Sequence, residues 1–301
     1  YNEVGSIAAN IGKTQSQGFE LTINTKNFDT KDFSWNTDFT FSFYRDKWKE
    51  RDENWSPNPY DMYNAPLRGY YMYLSDGLIQ PGEEVSWMPG ALPGQVKLKD
   101  IDGYAYNEDG TYKTDKHGIP LRTGKPDGKI DYADAVFKGC SDPGYLLGLN
   151  NTFRYKNFDF TMLWTGADQV NRILQGPYRN PFGESHRSAL MQWVYDNSWS
   201  EDNPSGHLPR LTFTNEKQNR ANSDLWYQDA RYIRLKNLEI GYTLRNKSWL
   251  PKTTNMRFYL NGTNLLTFTP FDANDPENTG GGSGFRYPLM RVVNLGLKVN
   301  F

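Results

Sequence analysis

One cysteine, Cys140, in 301 residues leaves no partner for an internal disulfide. Three histidines, His117, His186 and His207, stand too far apart to supply the paired ligands of a metal-binding helix. Neither charge sign is in excess: 34 Lys+Arg balance 35 Asp+Glu for a net charge of −1. Without a basic surplus to collect phosphates, no nucleic acid is expected as a partner. No run approaches the roughly 20 apolar residues that a membrane-spanning helix needs, so helical spans are excluded. Aromatic residues, by contrast, are plentiful, with 20 Tyr, 17 Phe and 9 Trp. That loading suits large β-structures and surfaces where a ring sits half wet.

Those aromatics fall at alternate positions. In "GFELTINTKN" Phe19, Leu21 and Ile23 oppose Glu20, Thr22 and Asn24, and in "FSWNTDFTFSFYRD" Trp35, Phe39, Phe41 and Phe43 oppose Asn36, Asp38, Thr40 and Ser42. Side chains of a strand alternate between its faces, so each stretch reads as a half-buried strand. "YLLGLNNTFRYKNFDFTMLWTG" reads as a hairpin turning at Lys156-Asn157, with Leu147, Leu149 and Phe153 sharing a face and Phe158, Phe160, Met162 and Trp164 sharing another. "ARYIRLKNLEIGYTL" changes phase between Leu235 and Leu238, which predicts a bulge. "NMRFYLNGTNLLTF" and "RVVNLGLKVNF" alternate again, the latter with Val293, Leu295, Leu297, Val299 and Phe301 on one side.

Strands with one apolar and one polar face, joined alternately by short turns and long segments, predict an all-β transmembrane antiparallel barrel. The alternative is a soluble β-sandwich, in which the apolar face lines a core. The polar faces favour the barrel, because Arg154, Arg257, Tyr259 and Asn261 suit a wet lumen better than the outside of a sandwich. The long segments 51–93 and 165–229 are far longer than hairpins need and are expected to be ordered extracellular loops.

The most specific local chemistry lies in "KDIDG" (99–103) and "PDGKIDYAD" (126–134), an Asp-rich loop spanning 99–134. Joined, the two halves put the carboxylates of Asp100, Asp102, Asp127, Asp131 and Asp134, with the Lys129 carbonyl, at ligand positions of a calcium loop. Residues 104–126 interrupt it, and Asp134 stands where a bidentate Glu is usual. Asp109-Gly110 in the insertion predicts a hairpin that keeps the halves adjacent. Calcium and a pair of ion-free Asp/Gly turns both fit this pattern.

Taken together, "GFELTINTKN", "DPGYLLGLNNTFRYKNFDFTMLWTG", "WSEDNPSGHLPRL", "YIRLKNLEIGYTL", "RFYLNGTNLLTFTPFDANDPE" and "YPLMRVVNLGLKVNF" resemble the C-terminal part of SusC/RagA-type TonB-linked outer-membrane transporters across nearly the whole chain. The resemblance implies a barrel of about 22 strands with an N-terminal plug that is absent from this chain. It implies import of oligosaccharides or peptides across the outer membrane of a Bacteroidetes-type bacterium, a SusD-type lipoprotein as lid, and energy from TonB. In that family the Asp-rich loop is usually uninterrupted. The terminal aromatic Phe301 resembles an outer-membrane assembly signal.

Loop aromatics are the candidate solute contacts: Trp55, Tyr70, Trp87, Trp193, Trp199 and Trp226, whose flat faces suit sugar rings and peptide side chains. Packing within their own loops is the competing role for each. A secreted glycosidase would need a carboxylate pair, and no acid stands out in an apolar setting, so no enzymatic activity is expected. A siderophore or cobalamin receptor shares the barrel without the lipoprotein lid.

Overall fold

The computed structural model describes residues 12–50, 66–116, 118–182, 190–214, 216–245, 254–278, 287 and 289–300. Trp55 and Phe301 therefore lie outside the described residues. Two long strands, β1 (Lys13–Asp29) and β2 (Phe33–Glu50), precede four short ones, β3 (Gly69–Tyr73), β4 (Ser75–Leu78), β5 (Val96–Leu98) and β6 (Ala135–Cys140). The hairpin β7 (Tyr145–Tyr155) and β8 (Phe158–Asp168) follows, then short β9 (Asn171–Ile173) and β10 (Tyr227–Asp229). Strands β11 (Tyr232–Leu244), β12 (Asn255–Phe268) and β13 (Val292–Asn300) complete the order. Among the described residues helix is confined to short pieces such as α1 (Gln192–Asn197) and α2 (Lys217–Arg220).

Seven strands make one sheet in the order β1-β2-β7-β8-β11-β12-β13. From β2 onward every pairing in it is antiparallel. Tyr155 faces Phe158, so the hairpin closes over Lys156 and Asn157, with Lys156 at φ 53°. Positive φ at that position matches the twist that two-residue hairpin turns require. The register of β11 shifts between Leu235 and Asn237 against both neighbours, which places the bulge at the predicted phase change.

The register fixes which side chains share a face. Trp35, Phe153, Phe160, Ile240, Leu260 and Leu295 stand side by side across six strands, an unbroken apolar row. One residue along, Asn36, Thr152, Thr161, Glu239, Asn261 and Asn294 form an equally continuous polar row on the other face. Among the described residues nothing covers the apolar face, and Leu295 is 83% exposed there. A sheet whose apolar face stays open across that many strands needs an apolar solvent, and a bilayer supplies one.

The chain divides into two compact units. Residues 18–44, 141–173 and 228–301 hold most of the large sheet. The described residues of 12–17, 45–140 and 174–227 belong to the other unit, built mostly from the long connections. Its core is Leu78, Ile79, Val85, Met88, Val96 and Leu98 with Trp199. The long connections between β2 and β7, β8 and β11, and β12 and β13 all leave from one edge of the sheet, because antiparallel strands alternate their ends.

Candidate functional site

On the polar face of the sheet, Arg257 of β12 reaches two strands away. Its guanidinium donates to Asp159 of β8 and, at 2.7 Å, to Glu239 of β11. The same group lies 5.2 Å from the centre of the Tyr259 ring. Asn261 Nδ2 donates to Glu239 at 3.4 Å, and Asn294 Nδ2 donates to Asn261 at 3.0 Å. Arg154 faces Asp159 in the hairpin register, so Arg154, Arg257, Tyr259 and Asn261 occupy one face. Glycines make room for this network. A Cβ on Gly241 would stand 2.3 Å from Arg257 Nη2, and one on Gly296 would stand 2.1 Å from Tyr259 Cζ. Gly296→Val is expected to displace the Tyr259 ring and cost about 1–3 kcal/mol. A urea titration of the refolded barrel checks this, with an unchanged midpoint counting against the packing described.

A second cluster of the sheet unit is barely signalled in the sequence. Arg234 is 2% exposed and donates to Asp275 at 2.9 Å, while Lys236 meets Glu277 at 2.6 Å. Arg172 donates to the carbonyl of Pro276 at 3.1 Å. These contacts fasten the "FDANDPE" segment to β11 and, through Arg172, to β9. The run of acids in "DANDPE" is the one visible hint, and it names no partner.

In the loop unit the two halves of the Asp-rich segment lie together. Asp100 accepts from the backbone N–H groups of Asp127 (3.1 Å) and Gly128 (2.7 Å). Asp102 accepts from Gly103 and Gly124 at 2.8 and 2.7 Å. Asp134, 0% exposed, accepts from Ile101, Asp102 and Asp131 at 2.8, 3.1 and 2.9 Å. Asp131 caps the next turn through Ala133 N, and Asp127 accepts from Lys129 N. The insertion bends back on itself through pairings of Tyr104 with Arg122, Tyr106 with Tyr112 and Thr114 with Pro120. Among the described residues no three acidic, His or Cys side chains are grouped so as to hold a metal. These carboxylates give oxygens to backbone N–H groups, which fixes the loop and joins its two halves. Because these bonds fix the loop by themselves, its protection against protease is expected to be the same with calcium and with excess chelator, and loss of protection on chelation would place an ion there.

The candidate aromatics divide by burial. Trp199 and Trp226 are 7% and 2% exposed and show no open face. Trp226 Nε1 donates to the Asn219 carbonyl at 2.9 Å, and Trp199 packs so closely on Gly94 that a Cβ there would come within 2.3 Å of its ring. Both are core residues of the loop unit by burial, Trp199 against distant Gly94 and Trp226 against Asn219 seven residues away. Trp87 is part-buried, with Nε1 donating to the Leu98 carbonyl. Trp193 meets Tyr178 and His207 edge-on, and Tyr70 meets Tyr227 the same way.

No family model matches the chain. Among curated proteins it is 30% identical to TonB-dependent receptor P3 of Formosa agariphila, covering 100% of this chain and 30% of that protein. It is 25% identical to TonB-dependent receptor SusC of Bacteroides thetaiotaomicron, covering 97% of this chain and 27% of that protein. Among solved structures the RagAB peptide transporter aligns with a TM-score of 0.64 at 19% identity, covering 96% of this chain and 29% of that one. The chain thus spans under a third of the length of the relatives it matches.

Proposed function

Since the chain corresponds to a C-terminal barrel portion of TonB-dependent receptors of the SusC/RagA type, which are outer-membrane proteins, we propose that it forms the wall and outer loops of a TonB-energised importer of large nutrients. The observation that carries this reading is the pair of adjacent rows across the sheet, apolar from Trp35 to Leu295 and polar from Asn36 to Asn294. The apolar row faces lipid and the polar row faces a wet lumen through which solute passes.

The mechanism follows from that division of faces. The Asp159–Arg257–Glu239 network cross-links three strands of the wall, so the lumen keeps its shape while a plug, carried elsewhere in the receptor, moves under a pull from TonB. Long connections at one edge of the sheet are the extracellular loops, as in other outer-membrane barrels. They offer a folded platform to a SusD-type lipoprotein that lids the barrel. Tyr70, Trp87 and Trp193 keep some surface there and are the residual aromatic contacts for an oligosaccharide or a peptide. The matched relatives are receptors, and no catalytic role is proposed.

Deleting the gene for the receptor and supplying defined oligosaccharides or oligopeptides as sole nutrient tests the reading. Growth on one class is expected to be lost, and a surface lipoprotein is expected to co-purify with the receptor in mild detergent. Full growth on both classes, with no co-purifying lipoprotein, would contradict it.

A further inference from the structure

Within the loop unit, a small cavity of about 30 Å³ is lined by Arg179, Arg210 and Arg220 beside Glu216, Asn219 and Trp226. Among the described residues only one of these three cations has a carboxylate partner. Arg210 donates to Glu216 Oε1 at 2.9 Å, and the other oxygen of Glu216 accepts from Asn219 at 2.7 Å, so that acid is fully engaged. Arg179 donates through Nη1 to the amide oxygen of Asn222 at 2.9 Å, and its Nε is buried without a hydrogen-bond partner. Arg220 has no side-chain partner among the described residues. Two guanidinium groups thus share a half-buried cavity in which, among the described residues, the one carboxylate is taken by Arg210; its walls include Val194, Leu208 and Trp226, which are 1–2% exposed.

Like charges brought together in such surroundings repel, and a buried N–H left without an acceptor is costly. Burial, followed by the like charge of Arg220, pushes the Arg179 pKa down. A bound anion relieves both penalties. The cavity holds about two water-sized probes, given roughly 10–15 Å³ for each, which matches the two oxygens of a carboxylate but not a whole sugar ring. A guanidinium fork presents parallel N–H groups at the spacing of those oxygens.

We propose that Arg179 and Arg220 form a binding site for a carboxylate group carried by the solute, either the uronate of an acidic oligosaccharide or an acidic side chain or terminus of a peptide. The proposal rests on the reading of these loops as the solute-facing side of an importer. It narrows the solute to an acidic one.

Calorimetry on the full-length receptor in detergent tests it, using tetragalacturonate against maltotetraose and hexaglutamate against hexaglutamine. One acidic probe is expected to bind at least about tenfold more tightly than its neutral counterpart, the scale of one charge-assisted contact. Which probe does so identifies the source of the carboxylate. Arg220→Gln is expected to abolish that advantage, while Arg179→Lys, which keeps the charge but loses the fork, weakens it in part. Binding by the unaltered receptor is expected to fall as salt rises, a readout that holds even where a variant folds poorly. Equal binding of acidic and neutral probes, salt-independent binding, or an Arg220→Gln protein that folds and retains the preference would each overturn the site. Nutrient uptake separates this from the wider reading: if the receptor is needed for growth yet shows no acidic preference, only the arginine site is lost.

Discussion

Leu295→Arg is expected to destabilise the barrel by about 2–4 kcal/mol, whereas Asn294→Arg, one residue earlier, is expected to change stability by under about 1 kcal/mol. Leu295 lies in the middle of β13, opposite Leu260, with Ile240 and Phe160 continuing the row behind it. A guanidinium at that point must enter hydrocarbon or drag water and headgroups toward it. Asn294 faces the other way, where it already hydrogen-bonds Asn261, and a cation there joins a wet surface beside Glu239. Urea titration of the full-length receptor refolded into liposomes compares the two. Equal penalties would mean that the faces are not in different solvents.

A loss of similar size is expected in the loop unit from Asp134→Ala. That carboxylate accepts from the N–H groups of Ile101, Asp102 and Asp131, and it is fully buried. Orphaned buried donors cost about 1–3 kcal/mol each, so a local loss of about 3 kcal/mol or more is expected. Asp131→Ala removes one cap bond and is expected to cost about 1 kcal/mol. Amide hydrogen exchange at residues 100–103 and 131–134 reads both directly, and slow exchange in Asp134→Ala would count against the network. Burial raises the Asp134 pKa above its ordinary 3.8, against the opposing pull of its three backbone donors. The folded loop then binds that proton at higher pH than the unfolded chain does. The contribution of this group to stability therefore falls as pH rises from about 3.8 through the raised pKa, and mild acidification does not weaken the loop through Asp134.

The large sheet was legible because its signal is local. Alternation sets the face of each strand, the mismatch of Leu235 with Leu238 sets the bulge, and Lys156-Asn157 sets the turn, each within a few residues. The loop unit was not legible for the opposite reason. Trp199 is buried against Gly94 and the residues around Val96, about a hundred positions away, so its chemistry alone left open whether it faced solute or core. The Asp-rich segment shows a third case. Its spacing brought the two halves to one place, but the same carboxylates that suit calcium also suit backbone N–H groups, and sequence does not distinguish those uses. Arg234, Asp275 and Glu277 pair across forty residues of chain, and Arg179 with Arg220 across a similar gap, which no periodicity reports.

The central claim is that one face of this sheet meets lipid and the other meets water. Spin labels placed one at a time at positions 292–300 of the full-length receptor in bilayers, with Cys140 changed to Ser, test it through accessibility to oxygen and to a water-soluble relaxant. The account predicts a two-residue period, with Val293, Leu295, Leu297 and Val299 open to oxygen and Asn294, Gly296 and Lys298 open to the aqueous reagent. Uniform access of the aqueous reagent along the strand would contradict it and leave the sheet as part of a soluble fold.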